Sequence, residues 1–451
     1  MKITRRGAVF FVAGALALAA CSTATDEATT TTAADTEPTT TSQAPSETAP
    51  STTTPTETPT RFVVEIANVS SGFAARHVEA FTTPVGGEGP APALPGEAYE
   101  WAFEAAPGER VSFATMLVQS NDWFIGTPAD GLPLFGDDSA PLTGDISADL
   151  YVWDGGTEVD QEPGVGEDQA PRQAGPDTGA DDPDNTVRMV DDSMASETVS
   201  ATLAHDGSTF TLTITNTSDA SALPTPIAPG VGVVHGGGEP LFTDGEPDRE
   251  EGLEALAEDG DPSGLVASVE AVTGVTTPLA PGAAAVIDME QTVFTPGAPD
   301  DGHGLEALAE DGDPSAYAEW TRGTVFAVPS GATEPGPLFP GESYTVEVEA
   351  LTGQYLTLET MLVQSNDWFF SLGAEGIPLF DAAGAPIGSD ITDLVTVWDA
   401  GTEIDQTPGV GPDQAPRQAG PDTGADDPDP NVREVALNAT DYIRVTITAT
   451  P

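Results

Sequence analysis

The sequence predicts an all-β protein built from antiparallel sandwiches, and three features lead to that expectation. The 451 residues include 48 glycines and 41 prolines, which favours short strands joined by turns over long helices. Apolar residues make up 38% of the chain, enough for a core once the polar start is set aside. Segments such as 342–351 alternate apolar and polar residues, the pattern of half-buried strands. With two faces to cover, stacked sheets are the economical arrangement.

Residues 1–21 have the pattern of a secretory signal peptide. A basic start containing Arg5 and Arg6 precedes an apolar stretch at 8–17 that is too short to span a bilayer. The last four residues, Leu-Ala-Ala-Cys, resemble a bacterial lipobox ending at Cys21, the only cysteine. We therefore expect export, lipidation at Cys21 and a membrane anchor on the cell surface or in the periplasm. The arginine pair leaves the general and twin-arginine export routes both open.

Residues 22–60 are expected to form a disordered linker. They consist almost entirely of Thr, Ser, Pro, Ala, Glu and Asp, and they contain no aromatic residue. Such a composition buries too little apolar surface to offset the entropy of ordering. The expected role is a tether between anchor and folded domains.

The charge is strongly acidic, with 74 Asp and Glu against 13 Lys and Arg and a net charge of −61. This surface repels phosphate backbones, so nucleic acid is excluded as a partner. Cations are the favoured partners. Most of the acids have no ligand-like spacing, and solvation in a salty medium explains them equally well.

An internal duplication organises the rest of the chain. Residues 115–124 recur at 360–369, and residues 169–184 recur at 414–429, both 245 positions further on, as from Asp122 to Asp367. Matching in register over that length means two copies of one fold.

The repeat predicts a shortened domain at 61–205 and a domain at 206–451 with an insertion at about 231–336. The first copy begins with a strand at 62–66 and the second with a strand at 210–214. Within the insertion, 252–263 recurs at 304–315.

Three local elements follow from the pattern. A short helix is expected at 253–257, ended by Gly260 and Pro262. Residues 342–351 and 356–363 flank a Thr-Gly turn and are expected to pair as a hairpin. Residues 395–398 are expected to form a buried strand.

Acidic residues recur at the ends of predicted strands in both copies. Calcium takes about six to eight oxygen ligands, and carboxylates four residues apart around a glycine turn can enclose it. Asp next to Gly is also common in ordinary turns, where it bonds its own backbone. The acidic loops at 181–184 and 426–429 either add ligands or are merely solvated. The candidate metal ligands are Asp122, Asp154 and Glu158 in the first copy, and Asp367, Asp399 and Glu403 in the second.

The repeated phrases also carry a family resemblance. Residues 120–124 (Ser-Asn-Asp-Trp-Phe), 152–158 (Val-Trp-Asp-Gly-Gly-Thr-Glu) and 172–176 (Arg-Gln-Ala-Gly-Pro) are similar to the spondin domain of F-spondin and of many bacterial secreted proteins. The resemblance implies an eight-stranded antiparallel sandwich similar to C2 domains, with calcium held by loops at one end. It places family metal ligands on Asp122 and Asp154.

The resemblance extends to the second copy, at Asp367 and Asp399, with one departure common to both copies. The family's third ligand is an Asp in the phrase Asp-Ala-Gly-Thr-Asp, and this chain has Glu158 and Glu403 there. Glutamate reaches one methylene further, which changes the geometry expected at that position.

The motifs favour a binding or adhesion module over an enzyme. The sequence contains no Gly-x-Ser-x-Gly elbow, no phosphate-binding glycine loop and no dinucleotide fingerprint. The expected partner is an extracellular polymer, a glycan or a surface protein, engaged by two tethered modules with avidity. The alternatives are a carbohydrate-active enzyme that uses loop carboxylates, or an acidic cell-envelope spacer with no specific ligand.

Overall fold

The structure, a computed structural model, describes residues 57–191 and 194–450. It confirms the predicted all-β class with antiparallel sheets. The predicted signal peptide, Cys21 and all of the predicted linker before residue 57 lie outside the described residues. Within the described ranges, no helix has both the length and the apolar character needed to cross a membrane.

The strands up to the middle of the chain are β1 (Thr60–Asn68), β2 (His77–Phe81), β3 (Ala98–Glu104), β4 (Arg110–Leu117), β5 (Trp123–Gly126), β6 (Leu132–Pro133), β7 (Gly144–Asp145), β8 (Tyr151–Asp154), β9 (Arg188–Asp191), β10 (Val199–Asp206), β11 (Thr209–Asn216) and β12 (Ile227–His235). The remaining strands are β13 (Leu279–Ile287), β14 (Thr324–Phe326), β15 (Ser343–Ala350), β16 (Tyr355–Leu362), β17 (Trp368–Ser371), β18 (Ile377–Pro378), β19 (Ser389–Asp390), β20 (Thr396–Asp399), β21 (Arg433–Val435) and β22 (Ile443–Thr450). The α-helices are α1 (Met194–Thr198), α2 (Leu253–Asp259), α3 (Ser263–Glu270), α4 (Leu305–Asp311) and α5 (Ser315–Thr321).

These elements form two modules, each with a four-stranded small sheet and a seven-stranded large sheet. In the first module the small sheet has the order β3-β11-β10-β7 and the large sheet β2-β12-β4-β5-β8-β9, with β6 beside β4. In the second module the orders are β15-β1-β22-β19 and β14-β13-β16-β17-β20-β21, with β18 beside β16.

Each module has three layers. The two sheets bury an aromatic and aliphatic core between them, which includes Phe113 and Phe210 in the first module and Phe62 and Phe370 in the second. The outer face of each large sheet is covered by a helix pair, α2–α3 or α4–α5. A large sheet enclosed on both sides explains why β4 and β16 are buried at nearly every position instead of alternating.

The first strand of the described chain belongs to the second module. β1 lies between β15 and β22, with Phe62 opposite Val348 and Ala449. In the first module β11 holds the same place between β3 and β10. The expected assignment of residues 62–66 to the first copy and of 210–214 to the second is therefore corrected.

The predicted division between 205 and 206 also falls inside β10, and it would separate β10 from its paired neighbour β11 in the same sheet. The first copy is not shortened. The two strands that the predicted domain at 61–205 leaves out are β11 and β12. They belong to the first module and follow its shared region in the chain instead of preceding it. The predicted insertion at 231–336 is likewise divided: the end of β12, α2 and α3 belong to the first module, whereas β13, α4, α5 and β14 belong to the second.

A buried asparagine marks the equivalence of β1 and β11. The Asn68 side-chain amide donates to the carbonyls of Thr277 and Leu338, at 2.8 Å each. The Asn216 amide donates in the same way to Ala93 and Thr225, at 2.9 and 2.8 Å. Each asparagine therefore ties the end of its strand to two neighbouring backbone segments. In chain order, the first module is therefore inserted into the second, between β1 and β13. The strand order of the first module is a circular permutation of that of the second.

The local predictions had mixed outcomes. The helix at 253–257 is confirmed as α2, which ends at Gly260 in a left-handed conformation with φ 69°. The strand at 395–398 is confirmed as β20. The predicted hairpin is wrong, because β15 lies in the small sheet and β16 in the large sheet, so the turn carries the chain across the core.

Candidate metal centres

Strand register brings acidic loops together at one end of each large sheet. In the first module Trp123 of β5 is opposite Asp154 of β8, and Asp154 is opposite Arg188 of β9. Asp122 immediately precedes β5, so its carboxylate lies at the same sheet end as that of Asp154. The buried apolar strands on either side fix this edge in place.

Three carboxylates meet at this edge, and we call Asp122, Asp154 and Asp160 the first aspartate cluster. One oxygen from each lies within 4.8 Å of the others. Asp122 and Asp154 are 0% and 2% exposed, whereas Asp160 is open to solvent. The cluster therefore has two buried carboxylates and one at the surface.

The hydrogen bonds of Asp122 are divided unequally between its oxygens. Oδ2 accepts from the backbone N–H groups of Thr157 at 2.8 Å and Glu158 at 3.1 Å, and from the Thr157 hydroxyl at 3.2 Å. Oδ1 is buried and has no hydrogen-bond partner among the described residues. A buried carboxylate oxygen without a donor is costly, and a bound cation would satisfy it.

Arg188 partly neutralises the cluster. Its guanidinium forms an ion pair with Asp154, contacts Asp182 at 2.9 Å and lies 3.8 Å from Asp160. The Trp123 indole N–H donates to Asp160 Oδ1 at 2.7 Å. These contacts hold the exposed carboxylate over the two buried ones.

The second module repeats the arrangement with its own residues. Its aspartate cluster consists of Asp367, Asp399 and Asp405, again with oxygens within 4.8 Å of one another. Asp367 Oδ1 is buried and unpartnered within the described part of the chain. Arg433 pairs with Asp399 and with Asp405 at 3.3 Å.

Burial raises the pKa of the two buried carboxyls in each cluster. The pKa of Asp154 rises to about 7, first because burial disfavours its charge and then because the Asp122 charge is close. The pKa of Asp399 rises to about 8 for the same reasons, with Asp367 as the neighbouring charge. Burial also raises the pKa of Asp122 and Asp367, against the backbone hydrogen bonds that favour the ionised form.

Two of the three predicted ligands in each copy are brought together, and the third carboxylate points elsewhere. The Glu158 backbone N–H binds Asp122, but its carboxylate accepts from Asn121 Nδ2 at 3.0 Å and from the Gly179 N–H at 2.6 Å. The Glu158 carboxylate lies near those of Glu258 and Asp177 and is not part of the first aspartate cluster. Glu403 likewise accepts from the amide of Asn366 and the N–H of Gly424.

Sequence reasoning missed Asp160 and Asp405. Both lie two residues after the predicted glutamate ligand, in the repeated phrase Thr-Glu-x-Asp-Gln. The 245-residue repeat that identified the other acids also contains these two, so their recurrence was the available signal. Arg188 and Arg433 recur at the same spacing and were not assigned a role.

The arrangement suits a hard cation. It offers oxygen ligands only, a buried oxygen without a donor, and two nearby carboxylates whose charge a single arginine does not balance. A search of protein-family models finds none that matches the chain, and a search of curated protein sequences finds no match either.

Proposed function

We propose that each module binds a divalent cation, calcium by preference, at its aspartate cluster. The observation that carries the proposal is the recurrence of one arrangement in both modules: a buried, unpartnered aspartate oxygen beside a second buried carboxylate. Acids that only shape a turn need neither a buried oxygen without a hydrogen-bond partner nor a second buried carboxylate beside it. Both features are present in each module. The lipid-anchored pair then acts outside the cell as an adhesion module for an extracellular polymer, glycan or surface protein.

The proposed relationship with spondin domains agrees with this role. The aspartates brought together include the two in each module that the resemblance assigned to metal, Asp122 with Asp154 and Asp367 with Asp399. The third carboxylate of each aspartate cluster is Asp160 or Asp405, where the resemblance implied Glu158 or Glu403.

We favour an ion over a polysaccharide substrate as the direct ligand of these carboxylates. Asp122 and Asp367 are 0% exposed, so a sugar ring cannot reach both acids of a pair. A carbohydrate-active enzyme remains the competing function. Calcium-dependent release of reducing ends from a polysaccharide panel would support that enzyme.

Isothermal titration of the purified full chain with calcium tests the proposal. We expect saturable binding that is lost at two sites in the double variant Asp122→Asn plus Asp367→Asn. The matched control is Asp137→Asn plus Asp381→Asn, which changes two acids outside the clusters. Unchanged binding in the cluster variant would contradict the proposal.

Anchoring is tested separately. In a bacterial host, the wild-type chain should incorporate labelled palmitate and fractionate with the membrane. Cys21→Ala should lose the label while the rest of the chain is still made. Labelling that persists in Cys21→Ala would overturn the anchor.

A further inference from the structure

A second group of carboxylates lies beside the first in each module, where a helix meets the loops. We call Glu158, Asp177 and Glu258 the first glutamate cluster; one oxygen from each lies within 4.8 Å of the others. Glu258 comes from α2, on the outer face of the large sheet. Glu254, one turn earlier on α2, adds its charge to that of Asp177.

Glu158 and Glu258 are the two buried members of this cluster, and Glu258 is the one that comes from a helix. Its side chain is 3% exposed, and its Oε2 has no hydrogen-bond partner anywhere in the described chain. The charges of Glu158 and Asp122 both act on it. The Thr157 side chain hydrogen-bonds this carboxylate, but a buried glutamate beside other acids with one oxygen that receives no hydrogen bond is unfavourable unless something else compensates it.

The cluster has a built framework. The Gly179 N–H donates to Glu158 Oε1, and a side chain at Gly179 would collide with that carboxylate. The Gln173 amide donates to Asp259 of α2 at 2.6 Å and ties the loop to the helix. A larger residue in place of Gly179 would displace the Glu158 carboxylate from its present position.

The second module builds a similar cluster from separate repeats, in which Glu306, the counterpart of Glu254, is a member where the first module has Glu158. Its members are Glu306, Glu310 and Asp422, with Glu403 close enough to raise the pKa of Glu310. Glu310 is 2% exposed, and within the structure's described ranges its Oε2 has no partner. The loop acids recur at the 245-residue spacing and the helix acids at 52 residues, from Glu258 to Glu310. Two independent repeats therefore converge on one arrangement.

Among the described residues, no basic side chain forms an ion pair within 4.0 Å with a member of either glutamate cluster. Arg172 and Arg417, on the neighbouring loops, donate to carbonyl and amide oxygens instead. The aspartate clusters differ because Arg188 and Arg433 contact them directly.

We propose that each glutamate cluster is a divalent-cation site distinct from the aspartate cluster. The ion bridges α2 or α4 to the loop that carries Asp177 or Asp422. Each cluster has at least one buried and at least one exposed carboxylate, which gives calcium both charge neutralisation and room for water ligands. Cation binding would thereby fix the helix pair on the outer sheet.

The test is calcium stoichiometry of the full chain, by equilibrium dialysis and calorimetry. We expect four sites in the wild type, one for each carboxylate group. Glu258→Gln plus Glu310→Gln should lose two sites and keep two. The control Glu270→Gln, at an exposed position of α3, should keep all four. Wild-type stoichiometry and affinity in the glutamate variant would overturn the proposal.

Two further measurements separate this proposal from the previous one. Trp123 and Trp368 donate to Asp160 and Asp405, so the tryptophan fluorescence change on calcium addition reports the aspartate clusters. That change should persist in the glutamate variant and disappear in Asp122→Asn plus Asp367→Asn. If Glu258→Gln plus Glu310→Gln does not fold, the exposed pair Asp177→Asn plus Asp422→Asn should weaken two sites at least tenfold. Unchanged binding there would overturn the glutamate sites alone.

Discussion

Arg188 contacts the first aspartate cluster, where its positive charge would repel a bound cation. Its guanidinium contacts Asp154 and Asp182 and faces Asp160, so it stabilises the cluster without metal and opposes a second positive charge. The same residue should therefore have opposite effects on stability and on affinity.

Arg188→Gln is expected to strengthen calcium binding to the first module and to lower stability without calcium. Removing one charge roughly 6 Å from a divalent ion is worth about 1.4 kcal/mol even at the dielectric constant of water, or about tenfold in affinity. Calorimetry measures the affinity and thermal unfolding in chelator measures the stability. The control Arg61→Gln removes an exposed arginine that pairs with Glu347. A weaker affinity in Arg188→Gln would show that the arginine organises the site instead of competing with the ion.

Glu359 gives the second module a pH-dependent stability. It is fully buried on β16, accepts from Ser371 at 3.1 Å, and its Oε2 has no partner in the described chain. Burial raises its pKa from 4.5 to about 7. The first module has Ala114 at the equivalent position and lacks this group.

The folded state holds the Glu359 proton more tightly than the unfolded state. Its contribution to stability is complete below pH 4.5 and is lost as the pH rises to about 7. Relative to wild type, Glu359→Gln should gain about 3 kcal/mol between these pH values. Denaturant unfolding at pH 4.5 and pH 8 measures the difference, with the exposed Glu349→Gln as control. A difference that does not change with pH would contradict the assignment.

At the residue scale the sequence predicted the buried aspartates because both recur next to strand ends. It could not predict that Glu158 turns away. That orientation depends on Gly179, twenty-one residues later, and on α2, which arrives from a different repeat. No spacing rule connects α2 to that loop.

At the scale of elements, β1 decides how the two modules are joined. Its alternating apolar face packs in the second module, although the chain continues from it directly into the first. Alternation identified β1 and β11 as strands. It could not identify their partners, because both present the same pattern to equivalent small sheets.

Phe62→Ala should therefore loosen the second module and leave the first intact. Phe62 is 0% exposed in the core of the second module, and loss of a buried phenylalanine side chain costs about 3–5 kcal/mol. Hydrogen exchange should rise in β15 and β22. The matched variant Phe210→Ala should instead raise exchange in β3 and β10. Faster exchange in β3 and β10 of Phe62→Ala would contradict the strand assignment.

Across the whole molecule, the net charge of −61 opposes folding at low salt. Raising NaCl from 10 mM to 1 M shortens the screening length from about 30 Å to about 3 Å. We expect the melting temperature to rise steeply over this range. An unchanged melting temperature would mean that the acids are already balanced locally.

Calcium should add a separate increment to this stability. At constant ionic strength, an ion that binds only the folded state stabilises it in proportion to the logarithm of its concentration. That increment should disappear when Asp122, Asp367, Glu258 and Glu310 are all replaced by their amides, whereas the NaCl effect remains. The comparison separates bound ions from general screening.

Anomalous diffraction from crystals of the full chain grown with terbium, a calcium substitute, tests most directly whether the repeated acids hold metal. We expect strong peaks between the side chains of Asp122, Asp154 and Asp160, and between those of Asp367, Asp399 and Asp405. Weaker peaks should lie at Glu258 and Glu310. Ordered aspartate clusters without anomalous density at saturating terbium would contradict the metal assignment.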